Sequence, residues 1–77
     1  MKYRNIGKYI RQKRLLANIS LNSFAFSNDI DPAILSRIET QQQNIKLNIL
    51  EKIANGFEMT PAQFLTEFEA TNGGAYD

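Results

Sequence analysis

The sequence predicts an all-α domain built from five short helices. Three observations lead to this prediction. Apolar residues recur three and four positions apart, no segment alternates with a period of two, and residues typical of helix caps separate the apolar stretches. A chain of 77 residues has room for one small domain. We expect this domain to span residues 1–69 and the Gly-rich residues 70–77 to form a flexible tail.

The first helix is predicted between residues 2 and 17. Ile6 and Ile10 lie four residues apart in this segment, and charged residues fill the other faces, which is the pattern of an amphipathic helix. Asn18 follows at a position where helices often end in a residue of left-handed conformation. The first helix is therefore expected to end just before Asn18.

The second helix is predicted over residues 21–27, after Ser20 as its N-cap. Phe24 and Ala25 form its inward pair, and the small Ala25 suits a point where two helices cross closely. Residues 28–29, Asn-Asp, tolerate left-handed backbone and predict a turn.

The third helix opens at Asp31 and Pro32, an N-cap followed by proline at the first helical position. It is predicted over residues 32–40, with Leu35 and Ile38 on one face. The remaining chain repeats the same kinds of signal. A polar linker over residues 41–44 leads to a fourth helix over about 46–55, and Thr60-Pro61 starts a fifth helix over 62–68.

The net charge of +1 conceals a strong asymmetry along the chain. Residues 1–28 contain six basic residues and no acidic residue, whereas residues 29–77 contain three basic and eight acidic residues. A basic segment can bind an anionic backbone even when the whole protein is nearly neutral. The alternative interpretation is a basic helix face that is simply solvated.

Composition argues against catalysis and against a membrane span. The chain has no His and no Cys, which removes the commonest general base, the commonest transition-metal ligand and any disulfide. No apolar run approaches the roughly 20 residues that a membrane span requires, and the N-terminus lacks the apolar stretch of a signal peptide. We expect a cytoplasmic, non-enzymatic protein that binds no cofactor, no metal and no small-molecule ligand.

The segment from Ser20 to Glu39 is the most informative for function. Two short helices are joined by a tight turn, and the second begins at a sharp Asp-Pro boundary. This spacing matches a helix-turn-helix, whose second helix enters the major groove of DNA while the first crosses the backbone. On these residues alone, an ordinary helical hairpin within a bundle is the alternative.

Residues 6–65 resemble the phage-repressor and Cro-like family of Xre-type helix-turn-helix transcription regulators. The resemblance is carried in one ungapped register by the segments IGKYIRQKR, IS, FA, ILSRIE, NIKLNILEKIA and FEMTPAQFL. It implies a compact, five-helix, lambda-repressor-like DNA-binding domain. It also assigns five residues to core positions of the family: Phe24, Ala25, Ile30, Leu35 and Ile38.

The resemblance also implies roles for individual residues. Arg14 and Glu39 match a pair that forms a partly buried salt bridge in such proteins. The base-facing positions fall on the third helix, about residues 32–39. They are Pro32, which has no donor to offer, and the predicted base contacts Ala33, Ser36 and Arg37.

Arg37 is the strongest of the base-facing candidates, because an arginine can donate two hydrogen bonds to guanine O6 and N7. The alternative is a surface arginine that pairs with Glu39 or with a phosphate. Ile34 either touches a thymine methyl group or packs on the fourth helix. The expected contacts with the DNA backbone are Ser20, Asn22, Thr40, Gln42, Gln43, Asn44 and Lys46, with exposed cations of the first helix such as Arg11.

The chain departs from the family pattern at several positions. Leu21 stands where the family usually has Gln, Asn28 where it has an apolar residue, and Asp29 where it has Gly. Residues 40–41 are Thr-Gln in place of the usual Arg-Gly. The start of the recognition helix, residues 31–33, is acidic and poor in donors. These departures suggest narrower or weaker sequence readout than is usual in the family.

The resulting prediction is a small transcription regulator, a repressor or autoregulator, that binds double-stranded DNA. The family commonly binds inverted-repeat operators as a homodimer. The expected interface residues are Phe68, Leu65 and Leu16, although Leu15 and Leu16 could equally pad the first helix against the fifth. The expected location is the bacterial or phage-infected cytoplasm, in association with the nucleoid. The alternative function is an antitoxin-like or anti-repressor-like module that keeps the fold and binds protein.

Overall fold

Five α-helices make up most of residues 5–70, the part of the chain that the computed structural model describes. The helices are α1 (Ile6–Leu16), α2 (Leu21–Ser27), α3 (Pro32–Glu39), α4 (Leu47–Gly56) and α5 (Pro61–Phe68). Residues 5–70 contain no β-strand, so the all-α fold class is confirmed. The predicted start of the first helix at residue 2 and most of the predicted tail lie outside the described residues.

The N-termini of three helices are capped by the side chains that the sequence indicates. The Ser20 hydroxyl accepts a hydrogen bond from the backbone N–H of Ser23 at 3.1 Å. The Asp31 carboxylate accepts one from Ala33 at 2.9 Å. Thr60 and Gln63 bond reciprocally in a capping box at the start of α5. Each cap satisfies backbone donors that have no partner within the helix, which fixes where the helix begins.

The C-termini of the first four helices share one motif. In each, the residue two positions after the C-cap donates its backbone N–H to a carbonyl of the last helical turn, at 2.8–3.1 Å. This is the Schellman arrangement, which places the intervening residue in the left-handed region. None of these four residues is glycine, although glycine has the lowest cost there. They are Asn18, Asp29, Gln41 and Glu58, with φ of 59°, 56°, 64° and 61°.

The hydrophobic core lies between all five helices and contains each family core position assigned from the sequence. Tyr9 of α1 packs its ring on Phe64 and Phe68 of α5, with centroids 5.2 and 5.4 Å apart. Phe24 of α2 stacks on Phe57 at 4.7 Å. The buried apolar residues are Ile6, Tyr9, Ile10, Phe24, Ala25, Ile30, Leu35, Ile38, Leu50, Ile53, Ala54, Phe64 and Phe68.

Gly7 allows α1 to pass closely over the end of α3. A Cβ atom at this position would overlap the carbonyl oxygen of Ile38 and lie 3.0 Å from its carbonyl carbon. The contacted atoms belong to a helix backbone, which cannot move aside as a side chain can. The absence of a side chain at Gly7 therefore sets the distance between α1 and α3.

Candidate nucleic-acid interface

The α2–turn–α3 unit is held by contacts inside it and by one from α4. The backbone N–H of Ile30 donates to the carbonyl of Ala25 at 2.8 Å, which closes the turn onto α2. Lys52 of α4 donates its ammonium to the carbonyl of Asp29 at 2.8 Å and lies 3.6 Å from the Asp29 carboxylate. With Phe24 and Ala25 buried beneath it, the turn presents α3 as a fixed element on the surface.

Helix α3 has one buried face and one accessible face. Leu35 and Ile38 are buried in the core. The four outward residues recur at the three- and four-residue spacing of a single helical face: Ala33, Ser36, Arg37 and Thr40, with Ser36 partly buried and the others exposed. All three predicted base contacts therefore lie on one accessible face of α3. Ile34 is partly buried and packs against the core, in agreement with its packing alternative.

The linker after α3 folds back onto the end of this face. The backbone N–H of Gln42 donates to the carbonyl of Arg37 at 2.8 Å, and the Gln42 side-chain amide donates to the Thr40 hydroxyl at 3.0 Å. Thr40 in turn donates its hydroxyl to the carbonyl of Ser36 at 2.9 Å. The Arg37 Nε–H donates to the Gln43 side-chain oxygen at 3.0 Å. Five residues predicted from sequence to contact DNA are thus brought together by their own hydrogen bonds.

The other predicted backbone contacts lie at helix starts and in the linker. Ser20 and Asn22 are exposed at the N-terminus of α2. Asn44 is exposed in the linker, and Lys46 is exposed immediately before α4. Exposed amides, hydroxyls and ammonium groups at such positions suit contacts with phosphate oxygens.

The ion pair that the family resemblance implies is present and buried. Arg14 donates from Nε and Nη2 to the two carboxylate oxygens of Glu39, at 2.9 and 2.7 Å. A third donor, Nη1, reaches the carbonyl of Ile19 at 2.9 Å. The hydrogen bond with Glu39 raises the pKa of Arg14, against the opposing effect of burial. This geometry makes Arg14 a structural residue rather than a DNA-facing one.

A second ion pair neutralises another residue of the basic segment, and sequence reasoning missed it. Lys13 donates its ammonium to Glu67 of α5 at 2.6 Å, and the Tyr9 hydroxyl donates to the same carboxylate oxygen. The hydrogen bonds from Lys13 and Tyr9 lower the pKa of Glu67. Lys13 and Arg14, both counted among the basic residues of this segment, therefore belong to intramolecular pairs. Their partners are 54 and 25 residues away in sequence, so no local pattern indicated them.

The departures from the family pattern have local structural explanations. Leu21 is partly buried and packs against the core, so an apolar side chain serves this position. The Asn28 side-chain amide donates a hydrogen bond to the carbonyl of Phe24 at 2.8 Å. This amide occupies the space that a Cβ atom at position 56 would need, and residue 56 is a glycine. Asp29 adopts the left-handed φ that the turn requires.

Two expectations about apolar residues need correction. Phe68 was expected at a dimer interface, but its side chain is fully buried against Tyr9. Its spacing of four from the buried Phe64 places both on the inner face of α5, and this spacing was available in the sequence. The alternative in which Leu15 and Leu16 pad α1 against α5 is also wrong, because they are 51% and 89% exposed. Leu65 is partly buried against the core.

Arg37 does not pair with Glu39, so that alternative for this arginine is wrong. The Glu39 carboxylate is occupied by Arg14, and the Arg37 guanidinium is exposed beside Gln43. Within residues 5–70 no group of three His, Cys, Asp or Glu side chains is placed to hold a metal ion. No helix in the same range is long and apolar enough to cross a membrane.

Comparison with known families agrees with the geometry. A helix-turn-helix family model matches residues 10–64, which cover the α2–turn–α3 unit and the elements packed around it. No curated protein and no solved structure matches the chain. The protein thus falls in the class of DNA-binding helix-turn-helix regulators. Within that class, the chain belongs to the Cro/C1-type, Xre-like helix-turn-helix family.

Proposed function

We propose that this chain is a sequence-specific transcription regulator, a repressor or autoregulator, that inserts α3 into the major groove of duplex DNA. The observation that carries the proposal is the accessible face of α3, on which Ala33, Ser36 and Arg37 lie together. The major groove is about 12 Å wide and admits a helix with such side chains. Arg37 reads a guanine, Ser36 contributes a less selective hydrogen bond, and Ala33 contacts a thymine methyl group.

Backbone contacts in this proposal flank the reading face. The start of α2 supplies Ser20 and Asn22, and the linker region supplies Thr40, Gln42, Gln43, Asn44 and Lys46. The ion pairs of Lys13 and Arg14 limit the electrostatic contribution to DNA binding, because these two charges are already neutralised. We therefore expect a modest salt dependence, with a slope of about 0.9 per phosphate contacted. The protein works in the cytoplasm, in association with the nucleoid.

Selection from a random duplex library, followed by binding titrations, tests the proposal. We expect an enriched site, and an affinity for it that falls as salt rises from about 50 to 200 mM. Arg37→Ala should reduce discrimination at one base pair by about 1–3 kcal/mol. Arg11→Ala, an exposed arginine of α1, is the matched control and should weaken all duplexes alike. Failure to enrich any sequence, with no duplex binding at low salt, would overturn the proposal.

The second candidate function is a protein-interaction module of antitoxin or anti-repressor type. It is favoured by the start of α3, where Asp31 and Pro32 offer no side-chain donor and Asp31 is exposed and acidic. If the chain bound a partner protein and bound no duplex DNA, that result would support this alternative over the regulator.

A homodimer on an inverted-repeat operator completes the proposal. One module of this size reads a short half-site, and a second copy reads the other about one helical turn away. Leu16 supplies the most exposed large apolar side chain among the described residues, and Leu65 is partly exposed. Leu16→Glu should convert dimers to monomers in sedimentation velocity. Leu47→Glu, at an equally apolar but different exposed position, is the control.

A further inference from the structure

We propose that Gln43 is a positioning residue that fixes the Arg37 guanidinium for end-on recognition of a single guanine. The inference rests on the proposed DNA-binding function and deepens it. The sequence predicts a phosphate contact for Gln43. In the structure its side-chain oxygen also accepts the Nε–H of Arg37, at 3.0 Å.

The linker holds Arg37 at two points. The backbone carbonyl of Arg37 accepts the N–H of Gln42 at 2.8 Å, in the Schellman turn that ends α3. One residue further, the Gln43 side chain accepts the Nε–H of the same arginine. Gln43 as a whole residue is partly buried, and its hydrogen bond with Arg37 lies at the surface. The left-handed conformation of Gln41, φ 64°, produces the reversal that brings Gln43 back to Arg37.

This contact selects one edge of the guanidinium for recognition. An arginine can donate hydrogen bonds to guanine O6 and N7 in two ways, either from Nε and one terminal nitrogen or from its two terminal nitrogens. The Gln43 oxygen occupies the Nε–H and so removes the first mode. Within residues 5–70, the terminal nitrogens have no protein acceptor at hydrogen-bond distance, and Arg37 is exposed. The end-on mode is the one left open.

Holding the guanidinium in advance also has an energetic consequence. A free arginine side chain loses rotamer freedom when it binds a base, and this loss reduces affinity. An arginine that Gln43 already holds loses less rotamer freedom on binding. A larger part of the energy of the base contact is then available to discriminate guanine from other bases. Gln43 therefore acts on sequence preference through Arg37 and does not read a base itself.

The test compares guanine discrimination in variants of the full chain, using a duplex selected by the wild-type protein and the same duplex carrying 7-deazaguanine at the predicted guanine. Gln43→Met keeps the side-chain length without the acceptor, and should reduce the penalty for 7-deazaguanine by about three- to tenfold. Gln43→Glu retains an acceptor oxygen and should preserve the penalty, while weakening binding to all duplexes through its charge. Gln42→Ala is the comparison variant, because this neighbouring side chain bonds to Thr40 and not to Arg37. As a proposed phosphate contact, its loss should weaken all duplexes alike and leave the penalty for 7-deazaguanine unchanged.

The outcomes separate this inference from the proposed function. If the wild-type protein binds a selected duplex and Gln43→Met keeps the full guanine penalty, the positioning role is wrong and the regulator function stands. If Gln42→Ala lowers the penalty as much as Gln43→Met, the linker acts only as structural support. If the wild-type protein binds no duplex, the proposed function itself fails. In the double variant Arg37→Ala/Gln43→Met, the Gln43 substitution should have no further effect on guanine preference.

Discussion

Arg14 and Glu39 form a buried, bidentate ion pair that joins α1 to the last residue of α3, with donor–acceptor distances of 2.9 and 2.7 Å. Both side chains are almost fully buried. If either partner were removed, the polar groups of the other would stay buried without a hydrogen-bond partner. The pair therefore locks the recognition helix to the rest of the domain at its C-terminal end.

Removing one member of this pair should be strongly destabilising. We expect Glu39→Ala to lower the free energy of unfolding by about 3–5 kcal/mol, since the Arg14 charge remains buried without its partner. Urea denaturation followed by circular dichroism measures this. The double variant Arg14→Met/Glu39→Met is the informative comparison, because replacing both charges by apolar groups should cost far less than removing one. Equal losses for the single and double variants would contradict this explanation.

The two helical glycines should respond differently to alanine. Gly7→Ala places a methyl group on the backbone of Ile38, so we expect a loss of about 1–3 kcal/mol in stability. Gly56→Ala meets the side-chain amide of Asn28, with its Cβ 2.7 Å from Nδ2, and this amide can rotate away. In thermal unfolding, the melting temperature of Gly56→Ala should therefore be well above that of Gly7→Ala. A reversed order would show that α1 can shift away from α3 at little cost.

Glycine should stabilise the chain at the left-handed helix ends. Glu58 has φ of 61°, a conformation that costs an ordinary L-residue roughly 1–2 kcal/mol and glycine almost nothing. Glycine also makes the unfolded chain more flexible, so the expected net gain for Glu58→Gly is about 0.5–1 kcal/mol. Chemical denaturation measures it. Glu51→Gly, within α4, is the control and should destabilise, because glycine is unfavourable inside a helix.

Acid should weaken the contact between α1 and α5. Hydrogen bonds from Lys13 and Tyr9 hold the pKa of Glu67 below its ordinary value of 4.5. The ionised carboxylate thus contributes stability that is fully present above about pH 4.5, and is lost as the pH falls through the lower pKa of the folded state. Glu67→Gln should flatten the part of the stability profile that lies below about pH 4.5.

The control for this pH dependence is Glu51→Gln, which removes an exposed carboxylate of α4. Thermal melts at a series of pH values should show the acid limb unchanged in this variant. An unchanged limb in Glu67→Gln would mean that other carboxylates cause the loss of stability. Since the Glu67 side chain is 40% exposed, solvent screening keeps the effect small.

The sequence by itself determined the elements and their order. Helix starts follow from local hydrogen bonds, such as Ser20 to Ser23 and Thr60 with Gln63, which involve residues three positions apart and are therefore visible in sequence. The left-handed conformation of Asn18 and Asp29 is also a local property, because it follows from the residue type at the end of a helix. The family resemblance added the Arg14–Glu39 pair, which local pattern alone does not specify.

Tertiary structure decided the features that depend on distant contacts. Lys13 of α1 forms an ion pair because Glu67, 54 residues away in sequence, lies next to it in the fold. The need for a glycine at residue 7 depended on the approach of Ile38. The contact between Arg37 and Gln43 required the reversal at Gln41, a left-handed position that no glycine marked in the sequence. Helix caps act over a few residues, whereas charge pairing and burial are set by which helices meet.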